Sequence, residues 1–429
     1  MIADINPRHR KLLFSGRRWR MRLVFWGGAL ALGVVSVAFA AAATQATRLF
    51  HYMMVTPWLA LALTPLGFML SAWIAARFFP GSQGSGIPQA IAARKVRDAH
   101  WRAKVMSLRL TFGKILLTLF GMACGASIGR EGPTVQVGAA ILLQAGKFGR
   151  MLGERGLILA GSAAGVAAAF NTPLAGIVFA IEEMGRAFEQ RNSGLVLIAV
   201  ILAGLASLGL VGNYSYFGSN TSMLSVTIDW VSVLICGVMG GLGGALFAKA
   251  VIQGTLLLRR WTAKTPVSGA MAVAGICGLI VAVCGILSHG ATYGTGYEAA
   301  RAAVEGGHTA WSFAPLKFIA TAASTLSGIP GGFFAPTLSI GAGMGDLIAD
   351  VLHAHAPGAI VLLGMTAYFA GVVQAPITSA VIIGEMTNAT AMRLPLLLAA
   401  LIGYGVSRLF QRESLYPALA RNFLARVKT

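Results

Sequence analysis

The segment Gly-Arg-Glu-Gly-Pro-Thr-Val, residues 129–135, places an arginine beside a glutamate in strongly apolar surroundings. It follows the run KILLTLFGMACGASI and leads into VQVGAAILLQAG, in a chain with only 14 acidic residues among 429. A glycine followed by proline is typical of a helix start, because proline suits the first helical turn. The unpaired N–H groups there carry about half a positive charge and form an anion site. Glu131 is therefore predicted to lie where an anion would bind.

A carboxylate at that position has the same negative charge as the anion whose place it would take. Deprotonated, Glu131 would occupy the site and block it; protonated, it would lose that attraction and swing away. Burial opposes the charged form and the helix N-terminus favours it, so we expect a side chain that can titrate. The alternative is an ion pair with Arg130, which is disfavoured because neighbours at a helix start rarely face each other.

Two further motifs have the features of helix starts, GSGIP at 84–88 and GGFFAP within 331–336. Ser85 adds a hydroxyl donor to the first of them. Three converging helix N-termini would bind a small dehydrated anion weakly enough to release it. The alternative is that glycine and proline only permit tight helix packing. The glycines and prolines of the three helix starts are Gly84, Gly86, Pro88, Gly129, Pro133, Gly332 and Pro336.

The composition identifies a polytopic membrane protein. The chain is 56% apolar and 11% charged, whereas a soluble domain has about 25% charged residues and one membrane crossing needs about 20 apolar residues. Several runs are too long for one crossing or are broken by Gly and Pro, so we expect pairs of short, tilted helices. The candidate spans are 23–46, 54–78, 106–127, 156–184, 194–212, 226–257, 267–288, 314–327, 333–352, 358–385 and 393–411.

The basic residues, which give a net charge of +20, cluster between these spans. Seven Arg or Lys residues lie in 8–22 and six in 94–109. By the positive-inside rule, both termini and these loops are predicted to be cytoplasmic, in a multi-pass protein of the cell inner membrane. Nucleic-acid binding is the other interpretation of so basic a chain, and it is disfavoured because the clusters flank apolar spans.

The chain is predicted to contain two homologous halves. Two pairs of segments share an offset of 203 positions: 129–139 resembles 332–342, and 168–184 resembles 371–386. Broken spans at corresponding positions of two halves are typical of transporters. Such breaks are tolerated only where protein or an aqueous cavity satisfies the exposed backbone. The predicted units are a basic N-terminus (1–22), two membrane repeats (23–215 and 226–411) and a C-terminal segment (412–429).

Two adjacent acids, Glu182 and Glu183, are predicted to differ in role. Glu182 has a counterpart in the second half, Glu385, which indicates a shared structural role. Glu183 corresponds to Met386, so the duplication does not account for it. A second proton site reached from the cytoplasm would fit Glu183, and the alternative is a solvated helix end before the polar stretch GRAFEQRN.

No motif in the sequence indicates a metal, a cofactor or an enzyme. The four cysteines lie in apolar runs without a C-x-x-C pair, and the histidines form no HExxH motif. His353 and His355 are two positions apart, which suits neither helical nor zinc pairing. An intramembrane enzyme would need a nucleophile with its base, and no G-x-S-x-G set is found. We therefore expect no cofactor, no metal and no enzymatic activity.

Four motifs together resemble the CLC family of chloride channels and chloride/proton antiporters. They are GSGIP at 84–88, GREGP at 129–133, GGFFAP at 331–336 and LYPAL at 415–419, and the resemblance runs from about residue 20 to the C-terminus. It implies an all-α polytopic membrane protein, built as an inverted repeat of many tilted and broken transmembrane helices. It also implies a homodimer in membrane lipid, with a separate pathway for chloride and protons in each subunit.

The resemblance further implies roles for individual residues. Glu131 is similar to the external gating and proton glutamate, and Glu183 to the internal proton glutamate of the exchangers. Ser85 and Tyr416 would contact a central chloride through their hydroxyls. Backbone N–H groups would complete the central site at Phe333 and Phe334 and line outer sites at Arg130, Glu131 and Gly132.

The expected function is chloride/proton antiport, and the alternative is a passive, possibly voltage-gated, chloride channel on the same fold. Glu183 favours exchange, because channels of the family generally lose the acid at that position. Ser85 favours chloride, because fluoride-selective relatives usually carry methionine there and nitrate-preferring relatives carry proline. Transport of those other anions is the less favoured alternative.

One position departs from the family pattern. Lys114 resembles a buried family lysine, but the carboxylate expected near it, six residues after Ser85, is replaced by Ile91. Lys114 is expected either to find another partner or to be less buried. No pair of cystathionine-β-synthase domains follows the last span, so nucleotide regulation of the kind seen in some relatives is not expected.

Overall fold

The computed structural model describes residues 15–185, 190–212, 215–224 and 229–428. Within these ranges the chain is almost entirely helical, and seven helices are long and apolar enough to cross a membrane. The first helix begins at Gly16, earlier than the predicted start at residue 23. It therefore includes the later part of the basic cluster, whose first residues lie outside the described ranges.

The helices of the first repeat differ widely in length, from the 38 residues of α1 to the 7 residues of α4 and α8. They are α1 (Gly16–Met53), α2 (Ala60–Arg77), α3 (Ile87–Lys95), α4 (Ala99–Val105), α5 (Leu108–Ala123), α6 (Glu131–Phe148), α7 (Glu154–Phe170), α8 (Pro173–Phe179) with a π-helical continuation (Ala180–Gly185), and α9 (Gln190–Val211).

The second repeat reproduces this order. The bounds of α14 and α15 lie 203 positions after those of α6 and α7, which is the offset of the matching sequence segments. The helices are α10 (Trp230–Thr262), α11 (Ser268–Leu287), α12 (Tyr297–Val304), α13 (Phe313–Leu326), α14 (Phe334–Val351), α15 (Pro357–Val373), α16 (Pro376–Met386), α17 (Arg393–Phe410) and α18 (Leu415–Lys428).

Two of the long apolar runs split as predicted. The run 156–184 breaks after α7 at Asn171, which has φ 57°, and the run 358–385 breaks after α15 at Gln374, which has φ 56°. This left-handed conformation ends the helix. The proline two residues further on begins the next helix in each case, where its missing N–H is not needed.

Glu182 and Glu385 connect the two repeats by capping each other's helices. The carboxylate of Glu182 accepts hydrogen bonds from the N–H groups of Ile377 and Thr378, at 3.2 and 2.7 Å. Glu385 accepts from the corresponding N–H groups of α8 at the same two distances. These groups lie in the first turn of α16 and α8, where the helix itself offers no acceptor. The two acids therefore share one structural role.

Lys114 and Lys317 form a second pair at the 203-residue offset, and both are fully buried. Nζ of Lys114 donates to the carbonyl of Gly84 at 3.0 Å. Nζ of Lys317 donates to two carbonyls in the turn 292–294, at 2.8 Å each. Each lysine thus holds the turn that precedes a short helix, α3 or α12. Lys114 has a backbone partner in place of the carboxylate that Ile91 replaces.

We expect Glu182→Ala and Glu385→Ala to destabilise the protein to a similar extent, because each removes the acceptor for two N–H groups at a helix start. Loss of a helix cap costs about 0.5–2 kcal/mol. Thermal unfolding in detergent should show a lower midpoint for both variants and little change for Glu413→Ala, whose exposed ion pair with Arg421 contributes little to stability. A midpoint equal to that of the unaltered protein would contradict the capping role.

Candidate functional site

The three segments predicted to start helices meet at one place, here called the junction. Gly129 and Gly332 exchange backbone hydrogen bonds of 2.6 and 2.8 Å. Gly84 donates to the carbonyl of Ile329 and accepts from the N–H of Gly331, at 3.2 and 3.3 Å. These few bonds hold together the starts of α3, α6 and α14. The first N–H groups of such helices have no intrahelical acceptor and remain able to bind a ligand.

Glycine is required where the segments touch. A Cβ atom on Gly132 would lie 2.2 Å from Oγ of Ser85, and one on Gly332 would lie 3.0 Å from the backbone nitrogen of Gly132. Gly86 has φ 107°, in the left-handed region that favours glycine. The absence of side chains lets three helix N-termini share one small space.

Two buried hydroxyl groups at the junction have no hydrogen-bond partner among the described residues, Oγ of Ser85 and the phenolic oxygen of Tyr416. Tyr416 reaches this region from the first turn of α18, and its ring stacks on that of Phe333 with the centroids 5.1 Å apart. A buried donor without an acceptor costs free energy. The junction therefore suits a ligand that accepts hydrogen bonds, and an anion is such a ligand.

Glu131 is the first residue of α6, and its carboxylate lies buried at the junction. Oε1 accepts a hydrogen bond of 3.2 Å from the hydroxyl of Tyr216, and Nε of Arg130 lies 4.0 Å away. The backbone N–H groups of Glu131 and Ala335, at the starts of α6 and α14, also lie near the carboxylate. The carboxylate thus lies beside N–H groups at two helix starts, and Arg130 is a more distant partner than the tyrosine.

Tyr216 is a site residue that the sequence did not indicate. The guanidinium carbon of Arg130 lies 5.7 Å from the centroid of its ring, and Phe170 and Tyr297 pack against it edge-on. Tyr216 lies between the two repeats, so neither a motif nor the internal symmetry marks it. Only the fold brings it to Glu131.

Glu183 lies in the π-helical segment and is 6% exposed, which does not agree with a solvated helix end. Four of the residues that follow it, 186–189, lie outside the described ranges. The hydroxyl of Tyr416 is within electrostatic reach of both Glu183 and Glu131.

Two cavities approach the junction. One has a volume of about 830 Å³ and reaches Arg130 and Tyr216, and the other has about 490 Å³ and reaches Ser85 and Phe333. Clefts lined by positive charge concentrate anions. The arginines that line them are Arg48, Arg130 and Arg301 in the first cavity and Arg259 in the second.

The arrangement can be compared with known proteins. The family model described as voltage-gated chloride channel matches residues 67–408. The chain belongs to this family. It is 30% identical over 408 residues to the H(+)/Cl(-) exchange transporter ClcA of Yersinia pestis bv. Antiqua (strain Angola), covering 86% of this chain and 80% of the relative. It is also 30% identical over 434 residues to ClcA of Citrobacter koseri, covering 92% and 86%.

Solved structures establish the fold. A slow cyanobacterial Cl⁻/H⁺ antiporter superposes with a TM-score of 0.80 at 24% identity, covering 96% of this chain and 99% of that one. A CLC-type fluoride/proton antiporter gives a TM-score of 0.78 at 21% identity, covering 93% and 97%. The chain has the CLC fold, and the inverted repeat of tilted and broken membrane helices is confirmed.

We expect Tyr216→Phe to strengthen anion binding, because Glu131 loses a hydrogen bond that holds its carboxylate at the junction. A hydrogen bond to a charged group contributes about 1.5–3 kcal/mol, so the affinity should rise by about tenfold or more. Calorimetric titration with chloride measures the change. Tyr404→Phe is the control, since the hydroxyl of Tyr404 contacts Arg408 on the surface. Equal affinity in both variants would show that Tyr216 does not hold the carboxylate in place.

Proposed function

We propose that the protein exchanges chloride for protons across a membrane, as the names of its relatives state for them. The observation that carries the proposal is the buried carboxylate of Glu131 at the meeting point of helix N-termini. It lies with the unpartnered hydroxyls of Ser85 and Tyr416 in the region that two cavities approach. This arrangement lets one acid compete with an anion and carry a proton.

Chloride would bind through dipoles and hydrogen bonds without a fixed cationic side chain. The hydroxyls of Ser85 and Tyr416 and the N–H groups of Phe333 and Phe334 would contact a central ion. N–H groups at Arg130 and Gly132 would contribute to outer positions. Binding must remain weak enough for release, and helix dipoles with neutral donors meet this requirement better than a buried lysine would.

Glu131 would couple the two ions. Its carboxylate would occupy the anion position when deprotonated, and the hydrogen bond from Tyr216 would hold it there. A proton arriving from the larger cavity would remove the negative charge, and the neutral side chain would leave the position to chloride. The return of the carboxylate would require loss of that proton, so each cycle would move chloride and protons in opposite directions.

Glu183 would pass protons between Glu131 and the other side of the membrane. Its burial supports this role over a solvated helix end. A passive channel is the second candidate. The buried Glu183 favours the exchanger, because a channel has no need of a second proton site.

The protein would lie in a bacterial inner membrane with both termini in the cytoplasm, as the basic clusters predict. It would form a homodimer with one pathway in each subunit. The residues assigned to the pathway, among them Ser85, Glu131 and Tyr416, come from a single chain. A partner subunit is therefore not required to complete the site.

The proposal is tested by recording chloride efflux and external pH together in proteoliposomes that carry a chloride gradient. We expect proton uptake driven by chloride efflux, persisting against a proton gradient. Glu131→Gln should abolish proton movement and retain chloride flux, because the amide cannot exchange a proton. Asp98→Asn is the matched control, because Asp98 is exposed, does not line either cavity and is replaced by a residue that can still cap α4. Proton movement that survives in Glu131→Gln would overturn the coupling mechanism.

Glu183→Gln separates the exchanger from the channel in the same assay. The exchanger predicts that proton movement falls to the background of empty vesicles and that chloride efflux continues. Chloride efflux without proton coupling in the unaltered protein would instead identify a channel. In that case Glu183 has no proton to carry, and its substitution should leave the flux unchanged.

A further inference from the structure

The side chains of His308, Asp346 and Asp350 meet at the C-terminal end of α14, away from the junction. Nδ1 of His308 lies 3.4 Å from Oδ1 of Asp346 and 3.2 Å from Oδ1 of Asp350. All three ligand atoms lie within 4.8 Å of one another. We propose that these residues form a zinc site, which is independent of the transport function proposed above.

The spacing of the three atoms suits tetrahedral zinc. Zinc binds histidine nitrogen and carboxylate oxygen at about 2.0–2.2 Å, which places neighbouring ligand atoms of a tetrahedron about 3.3–3.5 Å apart. The two separations from His308 are close to this value. The two aspartates lie one helical turn apart on α14, and a small rotation of the exposed Asp350 side chain adjusts the third separation.

Asp346 provides the second, independent observation. Its side chain is 1% exposed, and Oδ2 accepts hydrogen bonds from the backbone N–H and the hydroxyl of Thr309, at 2.5 and 2.7 Å. Oδ1 faces His308 and has no hydrogen-bond partner in the part of the chain that the structure describes. Such outer contacts to one oxygen are typical of carboxylates that bind metal through the other. A cation bound between this buried oxygen and the imidazole of His308, 3.4 Å away, would satisfy the oxygen more fully than that long contact does.

The internal duplication offers a comparison for these two acids. The positions that correspond to Asp346 and Asp350 in α6 are Leu143 and Lys147. Leu143 is buried, so an apolar side chain fills the equivalent place in the first repeat. Two acids one turn apart near the negative end of a helix repel each other and the helix dipole. A divalent cation would offset both effects.

The donor set favours zinc over the common hard cations. One imidazole nitrogen and two carboxylates suit zinc, whereas calcium takes six to eight oxygen ligands and magnesium retains most of its water. Three protein ligands leave a fourth position for water. His308 and Asp350 are exposed, so an ion can reach the site from solution. The sequence predicted no metal, because the cysteines form no C-x-x-C pair and the histidines form no HExxH motif.

The test is calorimetric titration of the purified full-length protein, without a histidine tag and stripped of metal, with zinc chloride. We expect one zinc ion per chain, with an affinity that His308→Ala and Asp350→Asn each reduce by about tenfold or more. Both side chains are exposed, so these variants should fold. His100→Ala and Glu298→Gln are the controls, since they remove an exposed histidine or acid elsewhere. Both should bind zinc like the unaltered protein.

A second measurement distinguishes zinc binding at this site from zinc binding elsewhere on the protein. Zinc should raise the thermal unfolding midpoint of the unaltered protein, because a ligand of the native state stabilises it. That rise should be absent in His308→Ala, and calcium should not produce it. Equal zinc affinity in the unaltered protein and in His308→Ala would overturn the proposal. Absence of zinc binding by the folded protein would also overturn it and would reduce the cluster to an ion pair between His308 and the aspartates.

Discussion

The structure depends on the unpaired backbone N–H groups of helices that begin inside the membrane. Lipid offers these groups no acceptor, so interrupted helices persist there only if protein, water or a ligand satisfies them. The hydrogen bonds between Gly129 and Gly332 satisfy part of the requirement and draw the helix starts together. The remaining N–H groups surround a small space in which the carboxylate of Glu131 now lies. We propose that the fold binds an anion with the same N–H groups that its broken helices leave unpaired.

The duplication separates structural residues from functional ones. Glu182 and Glu385 cap each other's helices. Lys114 and Lys317 hold equivalent turns. Residues that occur at matching positions of both repeats therefore have a structural role. Other acids have no acidic counterpart at the offset of 203 residues. Glu131 corresponds to Phe334. Glu183 corresponds to a methionine and Asp346 to a buried leucine, and these are the acids to which ion chemistry is assigned.

The membrane location, the start of one helix and the two repeats could all be predicted from the sequence alone. Apolar composition determined that it lies in a membrane, because no soluble domain could bury so much apolar surface. The glycine and proline residues of GREGP determined that a helix begins at Glu131, because φ preferences and the missing proline N–H act within one turn. The offset of 203 positions between matching segments predicted the two repeats, and it identified Glu385 as the counterpart of Glu182. Each of these conclusions depends on neighbouring residues or on composition.

Only the tertiary structure decided which distant groups meet. Tyr216 reaches Glu131, Lys114 finds the carbonyl of Gly84, and His308 joins two aspartates of α14, although nothing in the local sequence indicates these contacts. The convergence of three helix starts and the two cavities that approach them also arise from packing across the two repeats. Such contacts depend on the crossing of helices far apart in the chain. Periodicity and motifs describe residues within a few helical turns of one another, so they do not predict these long-range contacts.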